Sequence, residues 1–186
     1  MLSSLHTRTA AFAAVLLALS ATATAHVAPD SCGLPDSATP ASYLATNHDS
    51  EEVNIRAQPN TRTAILAVCD NQGEAAILGK SGAWYRVRLA LRPNQPAERR
   101  IINGYVHQSQ ASLRHVYTVH SADGSANLRL NANQRAEIQQ RIPNGTTVIE
   151  HPAKRQGDWH YVSVHGSDSD NYGYVHKSQL RPKAGR

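Results

Sequence analysis

From about Ser42 onward, short runs of β-branched and aromatic residues alternate with turn residues. The clearest runs are four to six residues long and lie at 116–119, 126–130, 138–142, 146–149 and 159–164, with a shorter run at 173–175. Strands of this length separated by turns are typical of a small barrel or sandwich. No apolar face recurs at three- and four-residue intervals beyond the N-terminal segment, so the pattern predicts an all-β chain.

A longer hairpin is predicted in the middle of the chain. Val87, Leu89 and Leu91 occupy alternate positions, and Arg86, Arg88 and Arg92 occupy positions of the other parity. One face of this strand should therefore be buried and the other basic. The turn at 93–96 contains two prolines and an asparagine, and a return strand is expected from Arg100.

The chain contains an internal repeat. The segment G-Y-V-H-Q-S-Q at 104–110 recurs with one change at 173–179, which is 69 residues later. Three further anchors recur in the same order: 53–56 with 126–129, Gly73 with Gly145, and Trp84 with Trp159. Self-similarity of this kind predicts two tandem units, which we place at 41–113 and 114–182. A single sheet running through both halves would contradict that interpretation.

The two copies differ in one hairpin. Its connection is long and basic in the first copy, around 86–100, and short and acidic in the second copy, at 166–171. Loops that diverge on a shared scaffold are where ligand preferences can diverge.

The N-terminus has the features of an export signal. Arg8 precedes an apolar run at 10–19, and the small residues at 23–25 form a cleavage site. The run is shorter than the roughly 20 residues that a membrane span needs. We therefore expect a cleaved signal peptide over residues 1–25, a spacer over 26–40, no membrane span, and a periplasmic or secreted protein.

The chain has two cysteines, Cys32 and Cys69. Units of about 70 residues bury only a modest core, and an oxidising compartment favours a disulfide that would staple it. Closing this loop is worth roughly 4 kcal/mol in the chain-entropy model. We expect the bridge to hold the N-terminal segment against the first unit; two free thiols are the alternative.

The net charge is +5, which suits a polyanionic cell envelope. The basic residues cluster only between Arg86 and Arg100, and such a run is usually a solvated face. No nucleic-acid-binding motif is present, so nucleic acid is not an expected partner.

The repeated anchors resemble the bacterial Src-homology-3-like domain. The shared features are an Asn-aliphatic-Arg step followed by a polar turn at 54–60 and 127–133, a glycine before the central strand, a Trp-x-x-Val strand, and a closing Gly-Tyr-Val. The resemblance implies two tandem small Src-homology-3-like β-barrels. It further implies a binding or targeting module of the kind that often accompanies wall hydrolases and recognises peptidoglycan, frequently its peptide part. The first copy departs from the pattern at Ala57, at Ala111 and in the insertion at 88–100.

Aromatic faces beside arginine donors would suit sugar rings and peptide carboxylates. On that basis the candidate ligand-binding residues are Arg56, Trp84, Tyr85, Tyr105, Arg129, Trp159, Tyr161 and Tyr174. In a small barrel some of these aromatic residues must also serve the core. The two arginines could equally form cross-strand salt bridges.

No catalytic, metal or cofactor site is expected. Cys32 lies in the spacer and Cys69 inside a small barrel, whereas a cysteine peptidase needs a free, activated thiol. Glu51 and Glu52 are adjacent rather than facing each other across a substrate. The histidines lack metal-ligand spacing, so a structural role is favoured for them.

The leading hypothesis is a non-enzymatic envelope protein that binds peptidoglycan or a related wall peptide through one groove per barrel, with multivalency adding to affinity. The alternative is a periplasmic inhibitor or immunity protein that blocks a wall-degrading hydrolase or toxin with its basic hairpin. A third possibility is a scaffold that docks proteins by strand addition.

Overall fold

The computed structural model describes residues 29–35, 40–46, 52–165 and 171–184. The predicted signal peptide, residues 1–25, lies outside this part of the chain. The described residues form β-strands and two short 3-10 segments, which confirms the prediction of an all-β chain. None of them belongs to a helix long and apolar enough to cross a membrane.

The first half contributes eight strands. They are β1 (Cys32–Gly33), β2 (Ser42–Thr46), β3 (Val53–Arg56), β4 (Ile65–Cys69), β5 (Glu74–Ser81), β6 (Trp84–Leu91), β7 (Arg100–His107) and β8 (Ala111–Val119). β6 and β7 form the predicted long hairpin, and they pair antiparallel along their whole length. Val87, Leu89 and Leu91 are buried, whereas Arg86 and Arg88 are exposed, as the alternation predicts.

The second half contributes six more strands. They are β9 (Ser125–Arg129), β10 (Ile138–Pro143), β11 (Thr147–Glu150), β12 (Trp159–Val164), β13 (Tyr172–His176) and β14 (Leu180–Pro182). The 3-10 segments are Pro152–Lys154 and Lys177–Gln179. The runs predicted from the sequence coincide with these strands to within a few residues, because each is bounded by turn residues that end the ladder.

The strand order of the sheet repeats. In the first half the order is β8-β2-β5-β6-β7-β3-β4, and in the second half it is β14-β8-β11-β12-β13-β9-β10. All strand pairs are antiparallel. The sequence repeat is therefore also a repeat of topology.

The two halves share one strand. The beginning of β8 pairs with β2, and its end pairs with β11 and β14, so one sheet path with free ends at β4 and β10 runs through the molecule. The expectation of separate sheets is thus wrong. The boundary predicted between residues 113 and 114 lies inside β8. Because no loop separates the two halves at this boundary, the backbone continues from the first half into the second within one strand.

Each half nevertheless has its own hydrophobic core. The first core includes Leu44, Val87 and Leu89, and the second includes Leu128 and Val162. One face of β8 serves both, because Ala111 and Leu113 contact the first core whereas Tyr117 and Val119 contact the second. The face of the sheet opposite the cores is called the outer face below.

The glycine that opens the repeated G-Y-V segment marks a close backbone contact. A Cβ on Gly104 would lie 2.5 Å from Cγ2 of Ile55, and one on Gly173 would lie 2.7 Å from the carbonyl oxygen of Arg129. Since real Cβ atoms do not approach other atoms so closely, only glycine lets β7 cross β3, and β13 cross β9.

The N-terminal segment is held on the first half in three ways. Cys32 and Cys69 form the predicted disulfide, with their Cα atoms 5.5 Å apart. β1 pairs with the end of β6, and Asp30 forms a parallel bridge with Cys69. The expectation that the bridge attaches this segment to the first unit is confirmed.

Candidate functional site

Strand alternation divides the side chains of β12 between the core and the outer face. His160 and Val162 are buried on the core side, whereas Trp159 and Tyr161 point to the outer face. On β13, Gly173 and Val175 are buried, so Tyr172, Tyr174 and His176 occupy the outer face. This two-residue period brings the aromatic residues of neighbouring strands together.

These side chains form an aromatic strip, defined as Trp159, Tyr161, Tyr172, Tyr174 and His176. Trp159 meets the edge of His176 at 5.1 Å between ring centroids. Tyr161 contacts Tyr174 edge-on at 5.1 Å and stacks on Tyr172 at 6.1 Å. Such geometries are the favourable ones for aromatic pairs, so the strip is a preorganised, partly exposed aromatic surface.

A groove of about 540 Å³ lies at the Trp159 end of this strip. Its lining is mainly polar and consists of Ser121, Ala122, Asp123, Asn127, Arg129, Gln134, Trp159, His176, Ser178 and Gln179. Two of the predicted site residues, Arg129 and Trp159, converge here. We call it the Trp159 groove.

Arg129 is fixed in the groove by the backbone of its own half. Its Nη1 donates to the carbonyl of Ala136 at 2.6 Å, and the residue pairs with Tyr174 across β9 and β13. Arg56 repeats both contacts, donating to the carbonyl of Thr63 at 2.9 Å and pairing with Tyr105. Neither arginine forms the cross-strand salt bridge considered above with any described residue.

The outer face of the first half keeps the frame of the site but changes its chemistry. Trp84 meets His107 at 5.0 Å, as Trp159 meets His176. The positions equivalent to Tyr161 and Tyr172 are, however, Arg86 and Asn103. The first face is therefore basic where the second is aromatic.

Tyr85 lies apart from the other predicted site residues. It is on the core side of β6 and packs against the first core, and Nζ of Lys80 lies 4.9 Å from its ring centroid. The residue at its place in the second half is His160, which is also on the core side. Of the eight candidates, seven are on the outer faces, with Arg56, Trp84 and Tyr105 in the first half and Arg129, Trp159, Tyr161 and Tyr174 in the second.

The sequence did not reveal several polar neighbours of the strip. Nε2 of Gln156 donates to the Tyr174 hydroxyl at 2.8 Å, and Nζ of Lys154 lies 4.8 Å from the Tyr161 ring centroid. Both residues lie in the turn between β11 and β12. This turn is not part of the sequence repeat, so the repeat gave no indication of them. The repeated His-x-Ser of 107–109 and 176–178 is a local turn, since Nδ1 of each histidine contacts the serine hydroxyl at 2.7 and 2.8 Å.

A buried polar cluster lies behind the strip. Oε1 of Glu150 is 2.9 Å from Nδ1 of His160 and 3.3 Å from Nε of Arg155, and Nη2 of Arg155 is 2.6 Å from Nε2 of His160. Because the guanidinium can only donate, Nε2 accepts and the ring proton is placed on Nδ1, toward Glu150. Burial acts to raise the pKa of Glu150, but His160 and Arg155 outweigh it and hold that pKa below its ordinary value.

The residues described include no group of three or more His, Cys, Asp or Glu arranged to hold a metal ion. Both cysteines are consumed by the disulfide, so neither offers a free thiol.

No family model and no curated protein matches the chain. Among solved structures it is similar to NlpC2 from Trichomonas vaginalis, with 12% sequence identity and a TM-score of 0.33 over 78% of this chain and 49% of that one. It is likewise similar to NlpC1 from the same organism, with 13% identity and a TM-score of 0.33 over 80% of this chain and 48% of that one. The chain thus spans about half the length of these structures. Similarity at this level carries no argument about fold or function.

Proposed function

We propose that this is an exported, non-enzymatic binding protein of the cell envelope, which recognises peptidoglycan or a related wall peptide in the Trp159 groove. Each half is proposed to be an opened Src-homology-3-like barrel, with β8 shared between them. The separate cores and the repeated strand order support this description of the fold.

The observation that carries the functional proposal is the convergence of one indole, one guanidinium, one imidazole, one carboxylate (Asp123) and several amide and hydroxyl groups in a groove of about 540 Å³. A wall peptide offers carboxylates for Arg129 and amide groups for Asn127, Gln134 and Gln179. An apolar or sugar face would lie on Trp159. Small-ligand sites have this mixture, in which a few placed polar groups give orientation beside an aromatic surface.

The test is co-sedimentation of the mature protein with purified sacculi at low salt. Trp159→Ala should reduce the bound fraction at least tenfold, because it removes the aromatic wall of the groove. Trp84→Ala is the matched control, since it breaks the same contact with the equivalent histidine on the basic face; it should bind within twofold of wild type. Both variants are first checked for native circular dichroism.

Two results would contradict the proposal. One is the absence of co-sedimentation by the wild-type protein. The other is an equal loss in the two tryptophan variants, which would mean that the Trp159 groove has no special role.

A second candidate function is inhibition of a wall-degrading enzyme, and the basic outer face of the first half favours it. Arg86, Arg88 and Arg100 are exposed and form no ion pair with the described residues. The hairpin tip is less available, because Arg92 contacts Asp30 and Glu98. Assays of wall hydrolases on sacculi would show inhibition by wild type that is lost in an Arg86→Ser, Arg88→Ser variant and retained in Trp159→Ala.

A further inference from the structure

The outer faces of the two halves enclose a cleft where β2, β5 and β8 meet the ends of β11, β12 and β13. Its volume is about 340 Å³, within the range of roughly 300–1,000 Å³ that small-ligand sites occupy. Its polar and aromatic lining includes Tyr43, Glu74, Arg114, His151, Ser163 and Tyr172. None of these residues lines the Trp159 groove, so the junction cleft is a separate place on the molecule.

Arg114 is the cation of the junction cleft. It is partly buried on β8, and its only side-chain hydrogen bond to the described part of the chain runs from Nη1 to the carbonyl of Leu113 at 3.2 Å. It forms no ion pair within the described ranges of the chain. A guanidinium has five N–H donors, so most of its donors remain for a ligand.

Glu74 is the anion of the junction cleft. It lies on β5, beside β2, and its carboxylate adds to burial in raising the pKa of the neighbouring Tyr43 hydroxyl. Arg114 pairs with Tyr43, and Glu74 pairs with Ala45, so the two charged residues are two strands apart and offset by two positions. Strand spacing and rise put their Cα atoms about 12 Å apart.

The rest of the lining is neutral at physiological pH. Burial, together with the charges of Arg114 and Lys154, lowers the pKa of His151 to about 4 against the opposing effect of Glu150. Its Nε2 contacts the Ser163 hydroxyl at 3.1 Å, and its ring meets the edge of Tyr172 at 5.4 Å. The junction cleft therefore offers one positive and one negative group, separated by hydroxyls and an aromatic wall.

We propose that the junction cleft binds a short zwitterionic peptide, with its carboxylate on Arg114 and its ammonium group on Glu74. The two side chains reach inward from Cα atoms about 12 Å apart, which leaves a gap that a dipeptide can bridge at about 3.3–3.6 Å per residue. A bidentate contact between carboxylate and guanidinium would use the free donors of Arg114. Tyr172 would cover a small ligand side chain. This inference does not depend on wall binding in the Trp159 groove.

The test is isothermal titration calorimetry of the full mature protein with L-alanyl-L-alanine, which is compared with its N-acetyl form, its C-terminal amide and free alanine. The dipeptide should bind, and each capped form should bind at least tenfold more weakly, since each has lost one charge. Alanine should also bind more weakly, because it is too short to reach both charged residues. If alanine binds as tightly as the dipeptide, the inference that the ligand is a peptide is overturned.

Variants assign the two charges. Arg114→Gln should weaken dipeptide binding at least tenfold and should make the amide bind as well as the free acid. Glu74→Gln should also weaken dipeptide binding at least tenfold, and it should make the N-acetyl dipeptide bind as well as the dipeptide with a free ammonium group. Arg88→Gln, an exposed arginine on the same face outside the junction cleft, is the control and should bind as wild type does.

No heat with the dipeptide at millimolar concentration, or unchanged binding by Arg114→Gln, would overturn the proposal. If Arg114→Gln does not fold, the capped ligands on the wild-type protein still decide the question. Trp159→Ala should bind the dipeptide normally, so failure of the Trp159 groove and failure of the junction cleft are distinguishable.

Discussion

Glu150 and His160 face each other inside the second half, with Oε1 of the carboxylate 2.9 Å from Nδ1 of the ring. Their exposed fractions are 0% and 3%. The pair stands between neighbouring strands at positions where the alternation would otherwise place apolar side chains. Arg155, whose side chain is partly exposed, is the third member and links the pair to solvent.

Removal of Glu150 should destabilise the protein strongly. Glu150→Ala leaves His160 and Arg155 without their carboxylate in a buried site, and breaking a buried pair in this way costs about 3–5 kcal/mol. Urea unfolding followed by tryptophan fluorescence measures the loss. Asp158→Ala, which breaks the exposed ion pair with Lys177, is the control and should change stability little. A loss for Glu150→Ala as small as that of the control would show that the buried pair does not contribute to stability.

The stability of the protein should fall as the pH drops from about 6.5 to about 4, owing to His151. Its pKa is lowered from 6.5 to about 4 in the folded protein, chiefly by burial. Between these values the unfolded chain binds a proton that the folded protein does not, so acid favours unfolding in this window and has no further effect through His151 below it.

His151→Gln keeps a hydrogen-bonding group near Ser163 but cannot titrate. Its free energy of unfolding should therefore depend less on pH between 6.5 and 4 than that of the wild type. His165→Gln, at an exposed position, is the control for loss of a histidine. Denaturant titrations at half-unit pH steps make the comparison, and parallel curves for wild type and His151→Gln would refute the assignment.

Much of the fold was predictable because its signals are local. Strand positions follow from alternation and turn residues, and the repeated G-Y-V glycine follows from the backbone contact that it permits. The sharing of β8 was not predictable, since alternation says which side chains are buried but not which strand lies alongside. The same alternating face of β8 reaches two different cores.

The candidate site was predictable in part for the same reason. The internal repeat indicated two pairs of residues, Trp84 with Trp159 and Arg56 with Arg129. The members of each pair occupy equivalent positions in the two halves of the structure. Tyr85 was included as an aromatic residue of a repeated strand, yet it follows Trp84 directly and neighbours along a strand point to opposite faces. Arg114 and Glu74 carry no repeat signal. They come near each other because β2 lies between β5 and β8 in the first half, and alternation along a strand does not give that strand order.

Gly173 should not tolerate a side chain. A Cβ there would lie 2.7 Å from the carbonyl oxygen of Arg129 and 2.8 Å from Cγ of Leu128, so Gly173→Ala must push β13 away from β9. Overpacking of this kind costs about 1–3 kcal/mol. Gly79→Ala is the matched control, because a Cβ there meets nothing within 4 Å. Thermal unfolding should show a lower Tm for Gly173→Ala and an unchanged or slightly higher one for Gly79→Ala; equal effects would contradict the close contact.

The disulfide should stabilise the first half more than the second. Cys32 and Cys69 both belong to the first core, and the second core shares no residue with it. In the chain-entropy model, a bridge across 37 residues is worth roughly 4 kcal/mol. In a Trp159→Phe background, the fluorescence of Trp84 reports on the first half. There, a Cys32→Ser, Cys69→Ser variant should have a lower urea midpoint than the protein with the disulfide. The midpoint should shift much less when Trp159 is the reporter, in a Trp84→Phe background. Coincident shifts of both reporters would show instead that the shared strand makes the two halves unfold as one.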